Sequence, residues 1–250
     1  MSGHSKWSKI KRQKGTSDAS RGQLFTKLTR EIIIAARQGG ANPESNFRLR
    51  LAIQKARDSN MPLDNVDRAI KKGSGAADAS TLVELTLEGY GANGVAVMVE
   101  TMSDNRNRTI ADVRSVFTKH GGNLGESGCV SWLFESRGII TVDTKGTNAE
   151  ELALLVIDAG ADDVKIEKDY LEVYVNPQKL EIIRKVIEQK KPIVSAEVSL
   201  VPKSTVMVDE QAALKVLKLL DHLDELDDVQ HVFSNVDYSE AVLEKLRVQV

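Results

Sequence analysis

The hydrophobic period of this chain changes near Ser80, from the spacing of a helix to the alternation of a strand. No other feature constrains the fold as much, because one face of a segment cannot satisfy both periods. Before the change, Leu24, Phe25, Leu28, Ile32, Ala35 and Ala36 fall in one arc at helical spacing over residues 17–38, and Gly39-Gly40 supplies the stop. Asn42-Pro43 offers an N-cap and an N1 proline for a second helix through about Arg57, with Phe47, Leu49, Leu51, Ile53 and Ala56 as its apolar set. Pro62 starts a third, with Leu63, Val66 and Ile70 inward and Gly73 at its end. The small, polar stretch Gly73–Ser80 reads as a linker.

After Ser80, Leu82–Glu88 and Val95–Thr101 alternate as strands around the turn Gly89–Gly94, and Arg106–His120 reads as a helix with Ile110, Val113 and Phe117 inward. Residues 138–201 then spell strand, helix, strand, strand, helix, strand, the order of a ferredoxin-like split βαβ unit. The strands are Gly138–Asp143, Val164–Lys168, Tyr170–Val175 and Val194–Leu200; the helices are Ala149–Ala159 and Pro177–Gln189, the latter capped by Asn176. Three elements remain, Thr205–Val208, a helix over Glu210–Leu226 and Val229–Val236, and they would complete the sheet begun at residue 82. The expected fold is therefore α+β and multidomain. A basic three-helix domain occupies 1–77, a discontinuous α/β domain 80–135 plus 204–250, and a ferredoxin-like domain, inserted in the second, 136–202.

Charge divides the chain at the same place. The formal net charge is only −2, yet residues 1–75 carry 16 Lys/Arg against 6 Asp/Glu, a local +10, which leaves 18 against 30, or −12, for the rest. A basic module attached to an acidic body suits a polyanionic partner, and nucleic acid is the common one. The competing explanation is that the basic helices dock on the acidic body.

The basic module contains two kinds of cation. In the arm, His4, Lys6, Trp7, Lys9, Lys11, Arg12 and Lys14 set one indole among five cations, so the amines can displace phosphate counterions while the ring stacks on a base. Trp7 can equally plug the small core. On the first helix, Lys27, Arg30 and Arg37 cluster within about 80° at 100° per residue, although Ile34 intrudes in their sector. Farther on, Arg106 and Arg108 in Asp104–Thr109 open a helix and are candidates for phosphate, capping or domain docking.

Several function classes have no support. The longest uninterrupted apolar stretch, Leu152–Ile157, falls far short of the roughly 20 residues of a membrane span. The N-terminal lysines have no apolar region behind them, so no cleaved secretory signal is expected. Cys129 is the only cysteine, which points to a reducing compartment and reads as a small buried strand residue. His4, His120, His222 and His231 lack ligand spacing, so no metal is expected. Gly89-Tyr90-Gly91-Ala92-Asn93-Gly94 has the letters of a dinucleotide fingerprint, but a strand follows it where a helix is required, so no cofactor is implied. No nucleophile elbow or P-loop occurs, and an enzyme is not expected.

The stretches Gly3-His4-Ser5-Lys6-Trp7, Arg21-Gly22-Gln23-Leu24-Phe25-Thr26-Lys27, Gly89-Tyr90-Gly91, Ser103–Thr109 and Gly121-Gly122-Asn123-Leu124-Gly125 resemble the YebC family, also called PmpR-type. That family includes the mitochondrial translational activator of cytochrome c oxidase. The likeness runs over nearly the whole chain; Ala92-Asn93 departs from a Pro-Gly type turn common in the family. It implies three domains, one helical and two α/β, and a cytoplasmic DNA-binding transcriptional regulator, with Arg21 joining the candidate contacts. The mitochondrial relative implies the alternative, an RNA- or ribosome-associated translation factor. On the residues alone RNA and DNA are served equally, and the family description favours DNA.

Overall fold

The computed structural model describes residues 18–75, 82–167, 169–239 and 242. The chain forms two compact units, one of residues 134–203 and one built from the chain on both sides of it. The ferredoxin-like part is thus inserted, as the leftover elements require.

In the flanking unit, α1 (Asp18–Gly39), α2 (Phe47–Asp58) and α3 (Leu63–Ser74) make the helical domain. Its core is aliphatic: Ile32, Ile34 and Leu49 are wholly buried, each worth roughly 1.5–3 kcal/mol. Ile34, which breaks the basic sector of α1, belongs to the same cluster as Leu82 and Met102 from the next domain. Both sides of the middle of α1 are therefore covered, a tertiary outcome that one helix's pattern does not reveal.

Two helix boundaries differ from expectation. The N-cap of α2 is Asn46, whose Oδ1 accepts from the Leu49 N–H at 3.0 Å while its Nδ2 donates to Ala35 O and Gly40 O. Asn42 instead organises the preceding turn, its Oδ1 accepting from Glu44 N–H. Gly73 does not stop α3. It lies within the helix where a Cβ would meet Ile33 O at 2.3 Å, so glycine is needed for the close approach of α3 to α1. Leu63, expected inward, is 60% exposed, and Met61, Val66 and Ala69 fill the interface.

The second domain opens with β1 (Val83–Tyr90) and β2 (Ala96–Ser103), an antiparallel pair. Asn93 (φ 56°) and Gly94 (φ 73°) carry the left-handed turn between them; asparagine tolerates that region, so Ala92-Asn93 closes the hairpin without the family's common pair. Next come α4 (Arg106–Lys119), β3 (Asn123–Leu124) and, after the insertion, β8 (Val206–Val208), α7 (Glu210–Asp224), β9 (Val229–Ser234) and β10 (Val236–Tyr238). The inserted β4 (Phe134–Asp143), α5 (Ala149–Asp158), β5 (Asp163–Ile166), β6 (Tyr170–Val175), α6 (Leu180–Glu188) and β7 (Ile193–Pro202) make an antiparallel sheet ordered β5-β6-β4-β7 with the two central strands from the first and third positions.

The main sheet of the second domain is ordered β3-β1-β2-β9, so β9 does join the strands begun before the insertion. β8 does not. It pairs in parallel with β10 in a separate ribbon, and both pack in the core shared with α4 and α7. A three-residue strand carries too little pattern to choose its sheet.

Cys129 also departs from expectation. It is half-buried in the loop before β4, not in a strand, and that loop is held by Glu88. The buried Glu88 carboxylate accepts from the N–H groups of Gly128, Val130 and Ser131, each at 2.8 Å. Burial works to raise the Glu88 carboxyl, but these bonds prevail and keep it below the ordinary glutamate value. Burial and the Glu88 charge push the Cys129 thiol up, away from a reactive thiolate.

Candidate nucleic-acid interface

The cations singled out on α1 fall in a contact with the end of α7. Lys27 Nζ donates to Asp224 O at 2.6 Å and lies 3.3 Å from its Oδ1. Gln23 Nε2 reaches Glu225 O at 3.2 Å, and Arg30 donates to Asp227 O. The Asp224 and Glu225 carbonyls are those the C-terminus of α7 leaves without intrahelical partners, at the negative end of its dipole, where cations are favourable, and Asp227 O follows in the turn beyond. Farther along α1, Arg37 donates to Leu82 O at 2.6 Å. Arg48 of α2 bridges Glu31 at 2.8 Å and Glu84 at 2.6 Å.

Asp228 connects this contact to the Asp104–Thr109 segment. Its Oδ2 accepts from Ser103 Oγ at 3.0 Å, Thr109 Oγ1 at 2.7 Å and Arg108 Nη2 at 2.8 Å, and its Oδ1 lies 3.0 Å from Arg30 Nη1. Burial alone would raise this carboxyl; the bonds from Arg108, Thr109 and Ser103 and the charge of Arg30 outweigh it and hold the group below the usual aspartate range. Arg108 also pairs with Asp104 at 2.9 Å, and Asn105 caps α4 by accepting from the Arg108 N–H. A cleft of about 570 Å³ runs beside these groups, lined by Arg30 and Arg108 but also by Asp104, Asp112, Glu225 and Asp227. Its acidic excess does not suit phosphate. Among the described residues no group of three or more His, Cys, Asp or Glu could hold a metal.

The structure thus gives Lys27, Arg30, Arg37 and Arg108 acceptors inside the protein; Arg21, Arg106 and Arg108 lie at exposed positions. The expected arm contacts, His4, Lys6, Trp7, Lys9, Lys11, Arg12 and Lys14, lie outside the described residues. A second set of cations was counted in the local charge but not placed by pattern. Lys55 and Arg57 are exposed in the last turn of α2, and Lys71 and Lys72 in the last turn of α3. Arg68, Lys71 and Lys72, at i, i+3 and i+4, share one face of α3. The neutral groups Asp64 O and Asn65 Oδ1 accept from Arg68. The signal that could have found this set is subtraction: with the middle of α1 covered on both sides, much of the domain's exposed charge falls to α2 and α3.

Comparison with known proteins agrees with this architecture. Residues 5–76 match the model of the TACO1/YebC protein N-terminal domain, and residues 82–236 that of the TACO1/YebC second and third domain. A "probable transcriptional regulatory protein" of Dehalococcoides mccartyi is 58% identical over 250 residues, covering 100% of both chains. One from Roseiflexus castenholzii is 50% identical over 251 residues, covering 98% of each. The crystal structure of a conserved hypothetical protein from Aquifex aeolicus, at 51% identity, superposes with a TM-score of 0.82 over 89% of this chain and 93% of that one.

Proposed function

Because the chain belongs to the TACO1/YebC family, we propose that it is a cytoplasmic DNA-binding regulator of transcription whose polyanion-binding surface lies on the helical domain. Relatives of full length carry the name of transcriptional regulators, which supports the regulatory part. The observation that carries the binding part is the separation of cations within one domain. Lys27, Arg30 and Arg37 of α1 serve docking, while Arg57, Arg68, Lys71 and Lys72 are displayed on α2 and α3. Displayed amines neutralise phosphates at little reorganisation cost, and Arg21, Arg106 and the cations of the arm extend the same chemistry. No helix among the described residues is long and apolar enough to cross a membrane, which fits a partner met in water.

One observation favours a second reading, binding of structured RNA. The longest helix of the domain turns its Lys27 and Arg30 to the protein, so it does not present them to a major groove. Shape and phosphate recognition of RNA needs no such helix. Titration of the full chain with a 20-base-pair DNA duplex and with an RNA hairpin of equal charge, from 50 to 300 mM salt, tests both. Tighter binding of the duplex supports the regulator of transcription; tighter binding of the hairpin supports the second reading. Absence of salt-dependent binding to either overturns the proposed surface.

A further inference from the structure

Two imidazoles meet where α4 and α7 pack against each other. His120 caps the C-terminus of α4 and His222 lies in the last turn of α7; their ring centroids are 4.6 Å apart, with the planes tilted by 30°. His222 Nδ1 is 2.6 Å from Lys218 O, and since a carbonyl only accepts, Nδ1 carries the proton and this ring is fixed. His120 is fixed through its backbone. Its N–H donates to Val116 O and Phe117 O, Gly121 follows with φ 72°, and Gly122 N–H donates to Phe117 O at 2.8 Å. A Cβ on Gly122 would meet Tyr90 O at 2.6 Å, so the turn sits hard against β1. It leads directly into β3, the two-residue edge strand that pairs with Gly89 and Tyr90.

The charges around the pair are of one sign. Lys218, four residues before His222, shares its face of α7, and Lys119 adjoins His120 in the last turn of α4. The carboxylates of α7 nearest in sequence face other groups: Asp221 acts on Tyr238, and Glu225 lines the cleft beside α1. The turn Ala92–Gly94, which also packs against α7, and the segment Gly121–Leu124 bring no charged side chain. One imidazolium suits the C-terminal end of a helix. A second would stand 4.6 Å from a like charge, with two lysines near and no carboxylate to offset it.

We propose that His120 and His222 form a pH-sensitive latch, which near neutral pH holds the last turn of α4 and the β3 edge against α7 and in mild acid releases them. Burial comes first, and His222, Lys218 and Lys119 add to it, in pushing the His120 imidazole below its ordinary value of 6.5. A base whose folded value lies below its unfolded one leaves stability untouched above pH 6.5 and lowers it as pH falls from there to the folded value. The release is local. Val113 and Phe117 keep α4 in the core, and Asp228, whose carboxyl lies below the usual aspartate range, holds its first turn down to far lower pH.

Proton NMR of the full chain tests this through the titration of the His120 ring and the exchange of the Gly122 amide. In the wild type that amide should lose protection several-fold between about pH 7.5 and about pH 5.5, once intrinsic rates are divided out, while the Val113 amide keeps its own. His222→Gln keeps a polar side chain and removes the charge; it should raise the His120 titration toward the ordinary value and abolish the acid loss at Gly122. Lys218→Met touches neither ring and leaves the backbone carbonyl in place, and it should raise the His120 titration by less. Packing alone would behave otherwise: His222→Gln would weaken Gly122 protection equally at both pH values and leave the His120 titration where it was, which overturns the proposal. So does a wild-type Gly122 amide equally protected at both pH values. If His222→Gln does not fold, Lys218→Met decides, and a His120 titration indifferent to it overturns the latch.

Discussion

The helical domain contains two populations of cations with the same chemistry and different surroundings. Lys27 and Arg30 of α1 end on carbonyls and carboxylates of residues 224–228, whereas Arg68, Lys71 and Lys72 of α3 point away from the core. A count of charge adds them together. The difference arises from α1 being central: Ile34 on its basic side packs with Leu82 and Met102, which brings the neighbouring cations to the acidic end of α7. Charge asymmetry between two parts of a chain therefore reports two things at once, attraction for an outside polyanion and attraction between the parts.

The largest expected consequence lies at Asp228. Asp228→Ala removes the acceptor of Arg30, Arg108, Thr109 and Ser103 together, and loss of one partner from a buried ionic network costs about 3–5 kcal/mol. Urea unfolding of the full chain should show it as a lower midpoint. The contrasting substitution, Lys71→Ala, should stay within about 0.5 kcal/mol of wild type. Equal losses at both positions would abolish the distinction between docked and displayed cations.

Binding sharpens the same contrast in the opposite direction. Replacing Arg68, Lys71 and Lys72 together by Ala should flatten the plot of log affinity against log salt by roughly two to three units, since each phosphate contact contributes about 0.9. Lys27→Ala should leave that slope unchanged while lowering stability. A slope that falls for Lys27→Ala and not for the α3 variant would reverse the assignment of the two surfaces.

Much of this arrangement is legible in the sequence because it rests on periodicity. The ferredoxin-like order of 138–201, the hairpin at Gly89–Gly94 and the completion of a split sheet by Val229–Ser234 all follow from alternation and turn residues. What escapes is set by contacts between elements distant in the chain. Asp228 meets Ser103 and Thr109 across more than a hundred residues, and no local pattern marks it. Gly73 looks like a stop and is a point of close approach; Leu63 matches the apolar spacing of α3 and faces solvent. Asn46 outdoes Asn42 as a cap because it also has two buried carbonyls to satisfy, on Ala35 and Gly40.

The docking contact should also respond to acid. The folded Asp228 carboxyl lies below its unfolded value near 3.9, so its contribution is fully present above that pH and is lost as pH falls through the folded value. The gap in urea midpoint between wild type and Asp228→Asn should be constant from pH 7 to 5 and close below about pH 4. A gap that persists at pH 2 would mean that the packing of Asp228, rather than its charge, holds α1 to the body.

The smallest expected effect comes from the other end of the docking surface, where charge is in excess instead of balanced. Glu100 stands on β2 opposite His231, near Glu31 and Glu84, and Arg48 already bridges those two glutamates. Burial raises the Glu100 carboxyl, the Glu31 charge adds to it, and Arg48 opposes only in part. A carboxyl whose folded value lies above its unfolded one binds its proton more tightly in the native state, so it costs nothing in acid and destabilises as pH rises through the folded value. Glu100→Gln should therefore match wild type at pH 4 and melt slightly higher at pH 8. Melting curves of the two proteins at both pH values decide the point. If Glu100→Gln instead melts lower at pH 8, Glu100 is an ionised partner in the network, and the excess of carboxylates under α1 is as well used as the cations above Asp228.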